Sequence, residues 1–307
     1  MDLSIVIPLY NEQESLPELV IAISQHVAPL QLNYEIIFVD DGSSDQSLQV
    51  LKNLKSKFPQ LKILSFRKNY GKSAALSEGF KMATGKIVIT MDADLQDDPA
   101  EIPNLMAKIY SGYDMVSGWK KKRHDPWHKI IPSKFFNFTT AVLSGIKIHD
   151  FNCGLKAYRQ EVIKEIPVYG ELHRYLPVLA YRGGYSVSEI IVQHHPRKYG
   201  HTKYGLRRFF EGFFDLLTVL FLTRYRQKPM HLFGFFGLIS LCFGFLISAY
   251  LTILWFEGHA IGNRPLLFLG ILLIIVGMQS FSLGLIGEMI TNIKDEERVY
   301  FIKEKII

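Results

Sequence analysis

The sequence predicts an α/β fold with a mostly parallel sheet and helices on both faces, followed by a C-terminal transmembrane helical hairpin. Three observations carry that expectation. Short apolar, β-rich runs alternate with helical patterns through the N-terminal half. Polar clusters sit immediately after three of those runs. Near the C-terminus, residues 232–256 and 266–287 contain no Asp, Glu, Lys or Arg.

Strands are expected over residues 3–9, 34–40, 61–66, 86–92 and 114–117, with helices over 14–27, 45–58, 72–83 and 99–110 between them. In such sheets ligands bind beyond the carboxyl ends of the strands. Those ends carry Pro8-Leu9-Tyr10-Asn11-Glu12, Asp40-Asp41-Gly42-Ser43 and Asp92-Ala93-Asp94-Leu95-Gln96. Their convergence on one sheet edge is the central expectation.

Each uncharged C-terminal run is long enough to cross a bilayer, since roughly 20 helical residues span the hydrocarbon core. Arg224, Arg226 and Lys228 precede the first run and Lys294, Arg298, Lys303 and Lys305 follow the second, whereas the connecting loop offers only Arg264. The positive-inside rule places both flanks in the cytoplasm. The expected organisation is a cytoplasmic α/β domain over 1–200, an amphipathic juxtamembrane helix over 201–229, two spans over 230–290 and a cytoplasmic tail over 291–307. Apolar residues at helical spacing, Leu206, Phe209, Phe213, Leu217 and Leu220, mark the juxtamembrane helix. Phe135, Phe138 and Val142 make residues 133–145 a weaker membrane-surface candidate.

Residues 3–9 are too short an apolar stretch for a secretory signal. Cys153 and Cys242, the two cysteines, form neither a disulfide framework nor a CxxC metal site, which suits a reducing cytosol. The formal charge of +6 gathers beside the spans. An anionic membrane surface and anionic substrates account for it better than nucleic acid does.

Asp92 and Asp94 form a DxD pair after a strand, where hard oxygen ligands suit Mg²⁺ or Mn²⁺ and a bound diphosphate. An isolated DxD is most often a solvated turn; the preceding apolar strand raises its weight. Asp40 would bind the base and Asp41 the ribose or the metal shell, although Asp-Gly is also a common turn and Ser43 a helix cap. Asn11 has its own bland reading, a helix cap with Glu14. Gly71-Lys72-Ser73 imitates the end of a P-loop, but the required earlier glycine is Phe66, so ATP hydrolysis is not expected. Lys72 at a helix start can still meet a phosphate. His124, His128, His149, His194 and His195 suggest exposed or structural roles. The basic run 120–123 reads as solvated or lipid-facing, with Arg123 a phosphate ligand.

With these residues in place, the chain resembles the family-2 glycosyltransferases of the dolichyl- and polyprenyl-phosphate type. Ser4 to Glu12, Val39 to Ser43, Asn69 to Lys72, Met91 to Gln96, Asn152 to Arg159 and Tyr199 to Gly205 carry the likeness, and the two spans extend it. Thr202 stands where the common family wording has serine.

The resemblance implies a GT-A (Rossmann-like) fold and inverting transfer of a sugar from a nucleotide diphosphate to polyprenyl phosphate. The donor, a UDP- or GDP-sugar, stays open among glucose, mannose, galactose and N-acetylhexosamines, with UDP-glucose preferred; Mg²⁺ or Mn²⁺ is the cofactor and the inner membrane the location. By the same likeness, Pro8, Tyr10, Asn11, Glu12, Asp40, Asp41, Lys72, Asp92, Ala93, Asp94 and Gln96 hold the nucleotide sugar, and Asp94 with Asp92 binds the metal. Arg123, Lys134, Arg197 and Lys203 handle phosphates of donor and acceptor. Asp150 is the active-site acid, with a structural cap as its bland alternative. The surface helices and the likeness imply a homo-oligomer, a tetramer being one form. A processive polysaccharide synthase is disfavoured by two spans and no Gln-x-x-Arg-Trp segment, and a non-catalytic nucleotide-sugar scaffold by the retained carboxylates.

Overall fold

Leu3–Leu9 (β1) is buried along its whole length and Tyr34–Asp40 (β2) along nearly all of it, as central parallel strands require. The computed structural model describes residues 1–121, 127–166, 168–170, 172–199 and 228–293. It divides into two compact units, Met1–Val219 and Leu220–Ile307.

The first unit is built on a seven-stranded sheet of order β3-β2-β1-β4-β6-β5-β7. Its other strands are Leu61–Ser65 (β3), Ile87–Thr90 (β4), Met115–Trp119 (β5), Lys156–Arg159 (β6) and Val187–Ile191 (β7). β1 pairs in parallel with β2 and β4, β2 with β3, and β5 with β7. β6 runs antiparallel between β4 and β5. The carboxyl ends of β1, β2, β4 and β5 therefore share one edge.

Helices Leu16–Val27 (α1), Ser47–Lys55 (α2), Lys72–Met82 (α3) and Ile102–Tyr110 (α4) follow successive strands. Side chains alternate across the pleat. Leu3, Ile5 and Ile7 of β1 join Leu19, Ile23, Ile102 and Ile109 in one core layer. Val6 points the other way and joins Val39, Ala75, Leu76 and Tyr158. Asp98 starts the segment leading into α4, its Oδ1 accepting from the Ala100 amide at 2.9 Å.

Helix α5, Trp127–Ser144, covers the expected 133–145 segment up to Ser144, with α6 (Gln160–Glu165) and α7 (Leu176–Arg182) following in chain order. On α5 the polar Asn137, Thr140 and Ser144 are buried, while Phe138 and Val142 are exposed. Its expected apolar stripe does not pack on the domain's own core at those two positions.

In the second unit, Pro229–Phe256 (α8) and Pro265–Ile293 (α9) form an antiparallel hairpin. Both are long enough to cross a membrane, with mean hydropathy of 2.2 and 2.3. Backbone proximity is possible because glycines face each other: a Cβ on Gly237 would fall 2.9 Å from the Gly277 carbonyl oxygen. Ser240 Oγ donates to the Leu273 carbonyl at 2.8 Å, and the Met230 amide to Glu288 at 3.3 Å. The expected juxtamembrane helix lies outside the described residues as far as residue 227, as does the tail from residue 294.

Candidate active site

Two loops at the shared edge are stitched together first. Asn11 adopts a left-handed conformation (φ 53°), which asparagine tolerates better than most residues. Its backbone amide donates to Ser43 Oγ at 2.9 Å, and its side-chain Oδ1 accepts from the Ser44 amide at 2.8 Å. The Glu12 amide donates to Ser47 Oγ at 3.0 Å. Asn11 is thus a bridge between the β1 and β2 loops rather than a helix cap. Asp40 is buried, accepting from the Ser43 amide at 2.9 Å and from Ser65 Oγ at 2.8 Å.

Asp41 does something the sequence did not suggest. Its two oxygens accept the amides of Tyr70 and Gly71, at 2.7 and 2.9 Å. Burial foremost pushes its carboxyl above the usual range, with those amides acting in the opposite direction. The carboxylate fixes the approach to α3, and hence Lys72 at its first position. Lys72 Nζ lies 2.5 Å from Asp92 Oδ1.

The DxD loop turns sharply at Leu95, whose φ of 60° is sparsely populated for a side chain of its kind. Asp94 Oδ1 accepts from the Gln96 amide at 3.2 Å, and its Oδ2 from Arg197 at 2.6 Å. A second guanidinium nitrogen of Arg197 is 3.6 Å from Glu12 Oε1. Partial burial works against the charge on Asp92, but Lys72, with Lys120 and Lys156 behind it, holds its carboxyl well below the ordinary range. Burial and the negative charges of Asp92 and Asp97 raise Asp94 instead, against the pull of Arg197.

Lys120 corrects an expectation. It is not solvated or lipid-facing; its ammonium lies 2.7 Å from buried Asp97 with the side chain only 12% exposed. The charge of Asp97 overcomes burial and keeps that lysine firmly protonated. Asp97 Oδ2 also accepts from the Asp92 amide at 3.3 Å, so the buried pair shores up the DxD loop from beneath.

From the other side, the residues before β6 close a small pocket lined by Pro8, Lys72, Asp92, Asn152, Gly154, Lys156 and His173. Gly154 is forced: a Cβ there would lie 2.6 Å from the carboxylate carbon of Asp92. Lys156 is almost completely buried, donates to the Cys153 carbonyl, and has its pKa lowered by that burial. His173 Nδ1 lies 2.8 Å from Ser73 Oγ, and burial together with the Lys72 charge keeps the ring neutral. Asp150 is buried; its Oδ1 accepts from the Asn152 amide at 3.1 Å and its carbonyl from Ser117 Oγ at 3.1 Å. Burial lifts the Cys153 thiol to about 12, leaving it inert.

Pro8, Lys72, Asp92, Asp94, Glu12 and Arg197 are therefore brought together, with Tyr10, Asn11, Asp40, Asp41, Ala93 and Gln96 on the same loops. Lys134 is exposed on α5. Arg123 and Lys203 lie outside the described residues. Lys120, Asp97, Lys156 and His173 were missed in the sequence. Lys156 alone had a signal, its place within the 152–159 segment that carries the family likeness.

A doubly wound sheet with an acidic loop beyond β4 and a Lys–Arg cluster around it has the GT-A fold, and sequence comparison makes the chain a glycosyltransferase. The chain belongs to glycosyl transferase family 2, whose family model matches residues 4–167. It is 35% identical over its full length to the dodecaprenyl-phosphate galacturonate synthase of Rhizobium johnstonii, covering 93% of that protein. It is 36% identical over 99% of its length to the undecaprenyl-phosphate 4-deoxy-4-formamido-L-arabinose transferase of Proteus mirabilis, again covering 93%. Among solved structures, glucosyl-3-phosphoglycerate synthase from Mycobacterium tuberculosis, in complex with Mn²⁺, UDP and phosphoglyceric acid, superposes with a TM-score of 0.56. That match covers 72% of this chain and 78% of the other at 17% identity, and shows the fold.

Proposed function

We propose that this enzyme transfers one sugar, with inversion, from a nucleotide diphosphate to a polyprenyl phosphate at the cytoplasmic face of the inner membrane. The observation that carries the reading is the meeting of Asp94, Glu12 and Arg197 with the Lys72–Asp92 pair beyond the carboxyl ends of β1 and β4. Both curated relatives are named for polyprenyl-phosphate products or acceptors, and the chain matches them nearly end to end. The two apolar helices supply the membrane attachment that such an acceptor demands.

The residues fit a hard divalent cation. Asp94 and Asp92 offer only oxygen, on the one loop beyond β4. Mg²⁺ and Mn²⁺ sites built on one or two carboxylates and completed by substrate phosphates have this sparse protein contribution. The M. tuberculosis enzyme was crystallised with Mn²⁺ and UDP on the same fold. Bound at Asp94, with Asp92 beside it, the cation would neutralise charge on the leaving diphosphate.

The chain's own residues do the rest. Asp40 and Asp41, with the β1 loop from Pro8 to Glu12, shape the nucleoside site. Lys72 and Arg197 face the diphosphate. A phosphate acceptor is ionised near neutral pH, so positioning and charge neutralisation matter more than proton abstraction. Asp150 orients the acceptor or the sugar from its buried turn. Arg123, Lys134 and Lys203 are assigned to phosphate capture. The organisation proposed is a catalytic domain over 1–200, a juxtamembrane helix over 201–229, two spans and a cytoplasmic tail, assembled as a homo-oligomer.

The test is to incubate the purified full-length chain with undecaprenyl phosphate and labelled nucleotide sugars, with and without a chelator. UDP-glucose and UDP-galacturonate head the panel, the second because of the Rhizobium relative. Label entering the organic phase with one donor, and lost on chelation, supports the reading; label in no lipid product with any donor refutes it.

A further inference from the structure

Arg197 reaches Asp94 from a strap that follows β7, and the strap is tied across the acidic loop at several points. Asp97 and His194 form an isolated β-bridge. The His195 amide donates to the Gln96 carbonyl at 2.9 Å, and His195 Nε2 lies 3.0 Å from Asp98. The Gln193 amide donates to Glu101 at 3.2 Å. Beyond Arg197, Lys198 reaches out to Glu18 at 2.7 Å. The strap thus delivers one guanidinium onto the carboxylate best placed to hold a cation, three-quarters buried, with Glu12 as its second anchor.

We propose that Arg197 is a positioning residue that fills the cation's place on Asp94 until cation and donor arrive together, and then turns to the donor's diphosphate. The inference rests on the reading that Asp94 holds the divalent ion. Asp94 Oδ2 is already claimed by Arg197 and its Oδ1 by the Gln96 amide. A divalent ion on the same carboxylate would sit within a few ångströms of the guanidinium, a repulsion that water near a protein surface only partly screens. A diphosphate resolves the conflict, because its oxygens match the planar donor fork of arginine. Cation and nucleotide should therefore bind with positive coupling, each raising the affinity of the other by the same factor. The diphosphate completes the cation's coordination in any case, so Arg197's part is the share of the coupling that disappears when its guanidinium is removed; an ion pair of merely structural value would leave the coupling unchanged on that removal.

Mn²⁺ binding to the full-length protein in detergent, followed by loss of the free-ion paramagnetic resonance signal, tests this without any turnover. Four forms are compared with and without UDP: the unaltered chain, Arg197→Ala, Arg197→Gln and Lys198→Ala. Without UDP, both Arg197 variants should bind Mn²⁺ about ten-fold or more tightly than the unaltered chain, whereas Lys198→Ala should not differ. UDP should then tighten Mn²⁺ binding much more in the unaltered chain than in the Arg197 variants. Equal Mn²⁺ affinity of the unaltered chain and the Arg197 variants, including no measurable binding by any of them, overturns the proposal. So does equal tightening by Lys198→Ala, which would make the effect one of net charge. Adding Asp94→Asn to Arg197→Ala should abolish the gain; undiminished binding there would instead remove Asp94 as the metal ligand, a separate failure.

Discussion

Alanine at position 154 should slow sugar transfer by moving a carboxylate it never replaces. A Cβ on Gly154 would fall 2.6 Å from Cγ and Oδ2 of Asp92 and 2.7 Å from Oδ1. No such contact survives, so Asp92 or the 152–154 backbone must retreat by several tenths of an ångström. The backbone is held where it is by Thr90 Oγ1, which donates to the Gly154 carbonyl at 2.8 Å. Asp92 is held by Lys72. Relief at the expense of the side chain is favoured, because overpacking a fixed backbone costs about 1–3 kcal/mol. Misplacing a catalytic group by about 1 Å costs on the order of 100-fold in rate, so a fall in kcat of roughly 10- to 100-fold is expected from Gly154→Ala. The assay is transfer of labelled sugar to lipid, run beside thermal unfolding. Asp92→Asn and the double variant complete a cycle: if Gly154→Ala acts through Asp92, the double variant is scarcely slower than Asp92→Asn. Unchanged kcat in Gly154→Ala, or full additivity with Asp92→Asn, would show that the added methyl does not act through Asp92.

Lys120→Met strands the buried Asp97 carboxylate and should lower unfolding stability by about 3–5 kcal/mol, most of it recovered by adding Asp97→Asn; thermal melts of the three forms check this. Glu35 is buried against Ser4, Thr84 and Lys62, and although burial alone would raise its pKa, Lys62 and those hydrogen bonds bring it from 4.5 to about 2. The ionised group then contributes stability that is complete above its unfolded value and lost as pH falls through its folded one. Glu35→Gln should accordingly cost about 3 kcal/mol at pH 7, and the gap to the unaltered chain should close as pH falls from 4.5 to about 2, read from unfolding at each pH. Asp41→Ala releases the Tyr70 and Gly71 amides and should raise the donor KM several-fold while leaving unfolding stability within about 1–3 kcal/mol.

The parallel half of the sheet was plain in the sequence because β1, β2 and β4 are mainly apolar runs, broken early only by Ser4 and Glu35, that end in polar loops, as strands buried on both faces require. β6 and β7 were not. Lys156–Arg159 is four residues carrying two basic side chains, and it becomes a strand only because β4 and β5 flank it. Val187–Ile191 contains Glu189 and sits at the sheet edge, where half-exposed positions blur the pattern. The same logic separates the legible site residues from the hidden ones. Asp92, Asp94 and Lys72 stand in short motifs with recognisable chemistry. Lys120 sits in a basic run whose solvated reading is the usual one, and only the distant Asp97 draws it inward. Asp41 stands in a short motif too, but its contacts were hidden: its oxygens accept two amides that no local pattern places nearby. Long-range pairing, not residue type, decided each of these cases.

Mass spectrometry and anomeric NMR of the lipid extracted after a single incubation with donor and polyprenyl phosphate bear most directly on the proposed activity. The expected product carries one sugar per lipid phosphate through a new phosphodiester at an inverted anomeric carbon, with one nucleoside diphosphate released for each. Nucleotide release with the lipid left unmodified, a retained anomer, or a lengthening sugar chain would contradict it.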